Sequence, residues 1–154
     1  MNYWLMKSEP ETFSIDDLAE APKKTTHWDG VRNYQARNFM RDGMQRGDLA
    51  FFYYSNHEPP GIAGVAKIVK TGYPDHTAFD KDDPHYDAQS DPTNPRWYMV
   101  DVQFQRKLKC LISLEELRKY SNGALAGLAL LQKGNRLSIT PVSEAHWKFI
   151  LALQ

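Results

Sequence analysis

The run Asp48-Leu49-Ala50-Phe51-Phe52-Tyr53-Tyr54, the turn from Ser55 to Gly61 with its Pro59-Pro60-Gly61, and the run from Ile62 to Thr71 constrain the fold more than any other stretch. Aromatic and aliphatic residues bounded by turn formers make two strands joined as a hairpin. Gly61 and Gly64, at the start of the second strand, point to a bulge or a close backbone approach, as at the bend of a small barrel. A chain of 154 residues can bury one real core but is short for two, so a single domain over residues 1–154 is expected around this hairpin.

The remaining elements are read from period and punctuation. Tyr3 to Lys7 is a strand stopped at Ser8-Glu9-Pro10, and Ser14, with Asp17 three residues on, caps a short helix. Tyr34 to Met44 carries Phe39 and Met40 among polar residues, which predicts a helix with one narrow buried face, ended by Gly43 or Gly47. Tyr73 to Pro95 is acidic, holds Pro74, Pro84, Pro92 and Pro95, and has no period; it is a long loop of the kind that often serves as a functional lid. Trp97 through Lys107 returns to alternation as a strand. Ser113-Leu114-Glu115-Glu116 opens a helix to about Tyr120, Leu125 to Leu131 is a second short helix, Leu137 to Thr140 is a strand before Pro141, and Ser143 caps a final helix through Leu153. Strands with helices between them predict an α+β fold: a mixed, mostly antiparallel sheet curled into a barrel, with short helices packed around it.

Charge narrows the partner. Lysine plus arginine and aspartate plus glutamate number 19 each, but they are segregated. The segment Tyr73–Pro95 sets Asp75, Asp80, Asp82, Asp83, Asp87 and Asp91 against Lys81 alone. From Lys23 to Arg46, by contrast, Lys23, Lys24, Arg32, Arg37, Arg41 and Arg46 face only Asp29 and Asp42. A protein tracking many phosphates carries a strongly basic balance, because counterion release supplies that affinity. A neutral chain with one basic region suits a short ligand. No apolar run approaches the ~20 residues that span a bilayer, so no membrane partner is expected. The single Cys110 precludes an internal disulfide, which fits a reducing cytoplasm, or the nucleus of a eukaryotic cell.

The basic region contains the densest chemistry in the chain: Thr26-His27-Trp28-Asp29-Gly30-Val31-Arg32-Asn33-Tyr34-Gln35-Ala36-Arg37-Asn38. A lone tryptophan is usually core, but polar neighbours and the Asp29-Gly30 turn make Trp28 a pocket wall on which a flat ring can stack. Stacking accepts every base, so edge hydrogen bonds must select, and Ser8, Glu9, Asp29 and Asn33 are the candidates. Turn and cap duty competes for Ser8 and Asp29. Arg32 and Arg37 could fork onto flanking phosphates or lie on a solvated helix face; Arg136 could contact a phosphate or serve a structural ion pair. Trp4, Trp97 and Trp147 sit in periodic contexts and read as core. The histidines show no paired metal spacing, and Cys110 has no catalytic histidine signature beside it, so neither metal nor cofactor is expected.

The blocks Tyr3-Trp4-Leu5-Met6-Lys7-Ser8-Glu9-Pro10, Trp28-Asp29-Gly30-Val31-Arg32-Asn33-Tyr34-Gln35-Ala36-Arg37-Asn38 and Gly47-Asp48-Leu49-Ala50-Phe51-Phe52-Tyr53 with Ser55-Asn56 resemble the signature blocks of the EVE domain family. So do Pro60-Gly61-Ile62-Ala63-Gly64, Tyr73-Pro74-Asp75, Pro95-Arg96-Trp97-Tyr98-Met99-Val100-Asp101-Val102 and Asn135-Arg136-Leu137-Ser138. The resemblance implies a PUA-like barrel. It also implies kinship with YTH domains, readers of methylated adenine that similarly place Lys-Ser after the first strand and a cage tryptophan after the next helix. Glu9 and Asp29 depart from the YTH pattern. The expectation is a noncatalytic reader of a single modified nucleobase in DNA or RNA. Its pocket would be walled by Trp28, lined by Lys7, Ser8, Glu9, Asp29, Gly30 and Asn33, completed by Ser55 and Asn56, and rimmed by Arg32, Arg37 and Arg136. The same residues leave open an enzyme acting on a modified nucleobase or nucleotide, with Asp29 or Glu9 as acid or base, and a small-anion or protein-interaction module.

Overall fold

The computed structural model describes residues 1–154. Strands β1 (Tyr3–Ser8), β2 (Thr25–His27), β3 (Leu49–Tyr54), β4 (Gly61–Pro74), β5 (Tyr98–Ser113) and β6 (Ile139–Val142) form one sheet in the order β2-β5-β4-β3-β1-β6. The pairing of β1 with β3 is parallel and every other pairing is antiparallel, giving the expected mixed sheet. Short helices α1 (Ile15–Glu20), α2 (Tyr34–Asn38), α3 (Leu114–Arg118) and α4 (Glu144–Leu151) surround it, and no helix is long and apolar enough to cross a membrane.

The sheet is buried on both faces, which explains the unbroken apolar run that became β3. Alternate residues serve two cores. Trp4, Met6, Ala50, Phe52, Ala66, Ile68, Val100 and Val102 join one, and Leu5, Phe51, Tyr53, Val65, Leu108 and Ile112 join the other. Each cluster is sealed by helices: Ile15 and Leu18 of α1 on the first, Trp147 and Ile150 of α4 on the second, where Trp147 stacks on Phe51 with centroids 3.9 Å apart. Trp4, Trp97 and Trp147 are all buried, as their periodicity predicts.

Curvature is built in where the glycines predict it. The β3–β4 register shifts between Phe52 and Tyr53, opposite Gly64, and the β4–β5 register shifts four times along its length. A Cβ on Gly64 would sit 2.6 Å from Ile15, so only glycine lets α1 close on the bent strand.

Several elements differ from expectation. The Tyr34–Met44 helix is a single α-turn, α2, continued by a π-turn over Phe39–Gly43; Ala36, Met40 and Met44 keep the narrow buried face. Leu125 to Leu131 is not a helix but turns ending in a 3₁₀ segment, Ala129–Leu131, because Gly127 takes φ +85° between the two buried leucines Leu125 and Leu128. β5 runs six residues beyond Lys107, to Ser113. β6 contains Pro141 instead of stopping before it; β6 is an edge strand paired only with β1, so the missing N–H has no partner to lose. The segment after β4 holds a 3₁₀ turn at His76–Phe79 and is otherwise irregular.

Candidate functional site

Trp28 follows edge strand β2 directly, and its N–H donates to the Val100 carbonyl at 2.7 Å, carrying the β2–β5 pairing one residue further. Its indole packs on the first core, perpendicular to Phe52 at 87° with centroids 5.6 Å apart. The part of the side chain not committed to the core lines a cavity of about 350 Å³. That is at the small end of ligand sites, which run from roughly 300 to 1,000 Å³.

The other walls arrive from three places. Thr26, His27 and Asp29 flank Trp28 in sequence; Lys7 and Ser8 come from the end of β1, with Thr12 and Phe13 just beyond it; His85 comes from the long acidic segment. The Ser8 hydroxyl donates to the Phe13 carbonyl at 2.7 Å, so towards the cavity its oxygen can only accept. The Lys7 ammonium is half-buried and takes part in no ion pair or hydrogen bond, and burial pushes its pKa below the usual lysine value. Asp29 lies 3.9 Å from His27, whose ring meets the edge of His76. The cavity thus combines an aromatic wall, an acceptor-only carboxylate and a donor-only ammonium.

Buried Asp75 fixes the turn that carries Asp29. It accepts from the Gly30 N–H at 2.8 Å, from Arg32 at 3.0 Å, and from the Thr77 N–H and hydroxyl at 2.9 and 2.6 Å. Burial works to raise its pKa, but the Thr77 hydroxyl, the Gly30 amide, Arg32 and the Thr77 amide together outweigh burial and hold the carboxyl below the usual range. Gly30 has φ +76°, and a Cβ there would meet the His85 ring at 2.6 Å. Glycine is therefore needed twice, for the turn and for the approach of His85 to the cavity.

The structure brings Lys7, Ser8, Trp28 and Asp29 together around one cavity. Asn33 lies away from it as the cap of α2, its side chain accepting from the Ala36 N–H at 3.0 Å. Gly30 contributes backbone to the Asp75 clamp, not surface to the cavity. Glu9 and Asn56 bond each other at 2.7 Å outside it, and Ser55 extends the β1–β3 pairing by donating to the Ser8 carbonyl. Arg32 is not free for a phosphate. Besides Asp75 it donates twice to the His85 carbonyl, at 3.1 and 2.6 Å, and once to Thr77. Arg37 is similarly turned inward, donating to the Arg96 carbonyl at 3.0 Å and to Asn38, with its guanidinium over Tyr34. Both arginines hold the long segment in place. Arg136 is exposed and makes no ion pair; the Lys7 N–H donates to the Ser138 carbonyl, so Arg136 stands two residues from the backbone that meets β1 at Lys7.

Thr12, Phe13, Thr26, His27 and His85 complete the lining without having been singled out as site residues. Thr26 and His27 open the run that contains Trp28. For His85, fifty-seven residues beyond Trp28, nothing local in the sequence marks the approach.

The EVE domain model matches residues 2–153 of the chain. Thymocyte nuclear protein 1 of Rattus norvegicus is 52% identical over 99% of this chain and 74% of its own length. Among solved structures, human THYN1 protein in complex with DNA containing 5-methylcytosine is 51% identical and superposes with a TM-score of 0.94, covering 99% of this chain and 97% of that one. The Mmi1 YTH domain, at 16% identity and a TM-score of 0.53 over 99% of this chain and 74% of that one, shares the fold.

Proposed function

Because the chain belongs to the EVE domain family, we propose that it is a noncatalytic reader of DNA that takes one modified cytosine, flipped or unpaired, into the Trp28 cavity. The observation that carries this reading is that Asp29 and Lys7 line one cavity beside an indole wall. An exocyclic amine donates and a ring carbonyl or nitrogen accepts, so the edge of an aminopyrimidine complements a carboxylate and an ammonium; thymine seated in the same pose turns a carbonyl towards the carboxylate where cytosine has its amine, and has to shift to offer its N3–H instead. The human relative crystallised with 5-methylcytosine DNA supports the choice of base, and a nuclear setting in a eukaryotic cell suits a DNA ligand. Burying one methyl contributes only about 0.8 kcal/mol, so discrimination against unmodified cytosine draws on cavity shape as well. Stacking on Trp28 offsets part of the few kcal/mol that base extrusion requires.

In this reading Lys7 and Ser8 hold the base, Arg136 contacts a flanking phosphate, and Arg32 and Arg37 act from behind by tethering the segment that brings His85 to the cavity. Glu9, Asn33, Ser55 and Asn56 shape the surrounding backbone.

Titration with labelled single-stranded oligonucleotides carrying cytosine, 5-methylcytosine, thymine or N6-methyladenine, and with an RNA of the same sequence, tests the proposal. The expected result is tightest binding to 5-methylcytosine DNA. Absence of binding to every probe at low salt would overturn it.

A further inference from the structure

We infer that the Lys23-Lys24 turn is a second phosphate-binding element, which directs the strand flanking the captured base along the β2 edge; the inference rests on the reader function proposed above. Lys23 (φ 57°) and Lys24 (φ 54°) are consecutive residues in the left-handed region. An L-residue there presses its Cβ towards the following carbonyl oxygen, a strain that glycine avoids and asparagine tolerates. Strain of this kind persists where the surroundings impose it, and it gathers at functional sites. Here the surroundings do impose it. The Thr25 hydroxyl donates to the Lys23 carbonyl at 2.9 Å, the Lys24 N–H donates to Ala21 at 2.7 Å, and Thr25 is held in register with Gln103 of β5.

What the strain achieves is display. Both lysines are exposed, and neither makes an ion pair. Three nearby cations are held in ion pairs, Arg32 with Asp75, Arg41 with Asp42 and Lys107 with Asp16, whereas Lys24 has only a loose contact with the Phe104 ring, 5.8 Å from its centroid, that leaves its ammonium open to a phosphate. Three strand residues connect the turn to Trp28, so at ~3.3 Å per residue the Lys24 Cα lies roughly 13 Å along the edge from the pocket wall, a span that a single strand crosses in a few nucleotides. The opposite rim repels that strand. His85 reaches the cavity from a segment carrying exposed Asp80, Asp82 and Asp91, so phosphates are excluded there and drawn towards β2.

The test is the salt dependence of binding by the full chain to a labelled single-stranded oligonucleotide with one 5-methylcytosine. For Lys23→Glu/Lys24→Glu the slope of log K against log salt should flatten by about 1 to 1.5, at about 0.7 per single-strand phosphate contact, with the preference for 5-methylcytosine over cytosine unchanged. Lys109→Glu/Arg118→Glu, which makes the same change in net charge on another part of the surface, should leave the slope near that of wild type. Lys23→Asn/Lys24→Gly relieves the strain, so it should raise Tm and still flatten the slope, separating contact from folding. An unaltered slope for both Lys23/Lys24 variants, or an equal flattening in the control, would overturn the inference. If wild type shows no preference for 5-methylcytosine, the reader proposal fails, and the slopes measured on an unmodified strand still decide whether this turn meets phosphate.

Discussion

The Trp28 and Phe52 rings stand perpendicular, with centroids 5.6 Å apart, so an indole that walls the cavity is braced from behind by a side chain that is 1% exposed. Phe52 in turn belongs to the apolar strand β3 at the point where the β3–β4 register shifts. The wall is thus anchored to the buried centre of the sheet. Replacing Trp28 by alanine should leave the fold intact by circular dichroism and weaken binding of the methylated oligonucleotide by about 5- to 150-fold, the equivalent of roughly 1–3 kcal/mol of stacking. Phenylalanine should recover part of the loss.

Lys7 separates binding from stability. A half-buried ammonium without an acceptor is a burden on the folded state, so Lys7→Met should raise Tm. Since its folded pKa is depressed, the burden is present at neutral pH and is relieved as pH rises through that pKa; the gain from methionine should therefore shrink in strongly alkaline buffer. Binding should move the other way, falling roughly 10- to 100-fold for the loss of a hydrogen bond from a charged donor. A residue that only shaped the fold would not show opposite signs in calorimetry and titration.

Asp29 sets the base. An asparagine in its place presents a donor as well as an acceptor, so Asp29→Asn should narrow the preference for cytosine-type bases over thymine by about 1–3 kcal/mol, read as the ratio of two dissociation constants. An unchanged ratio would remove Asp29 from base recognition and leave it to its contact with His27.

Asp75 holds the turn from below. Asp75→Asn removes the charge opposite Arg32 and should destabilise the fold by roughly 3 kcal/mol, towards the lower end for breaking a buried pair because Arg32 keeps some access to solvent. The carboxyl is held below its unfolded value of about 3.9, so its stabilisation is complete above that pH and is lost as pH falls through the folded pKa. Chemical denaturation between about pH 6 and pH 2 should show a shallower acid loss for the variant. Gly30→Ala attacks the same turn from the other side. A left-handed backbone and a contact with His85 at 2.6 Å should lower Tm by about 3–8 °C for a strain of roughly 1–2 kcal/mol.

The sequence was most legible where local and global demands agree. Ser14 and Asp17 form the expected capping box, and the hairpin from Leu49 carries its irregularity at the predicted glycine. Fold class followed from such patterns because strand period and turn chemistry are local properties. Charge partners did not follow. Arg32 reads as a free cation until the chain brings Asp75 and the His85 carbonyl to it across more than forty residues, and Asn33 reads as a base contact until α2 needs a cap. The same long-range closure hid His85 from sequence reasoning. What remained readable at the site was the pair of blocks that form contiguous walls, Lys7-Ser8 and Thr26 to Asp29.

The most direct measurement is a matched titration of wild type and Trp28→Ala with oligonucleotides that differ only in one cytosine or 5-methylcytosine. The account predicts that wild type prefers the methylated strand and that the variant loses both affinity and preference while keeping its fold. Equal binding of the two strands by wild type, or full retention of the preference without the indole, would contradict it.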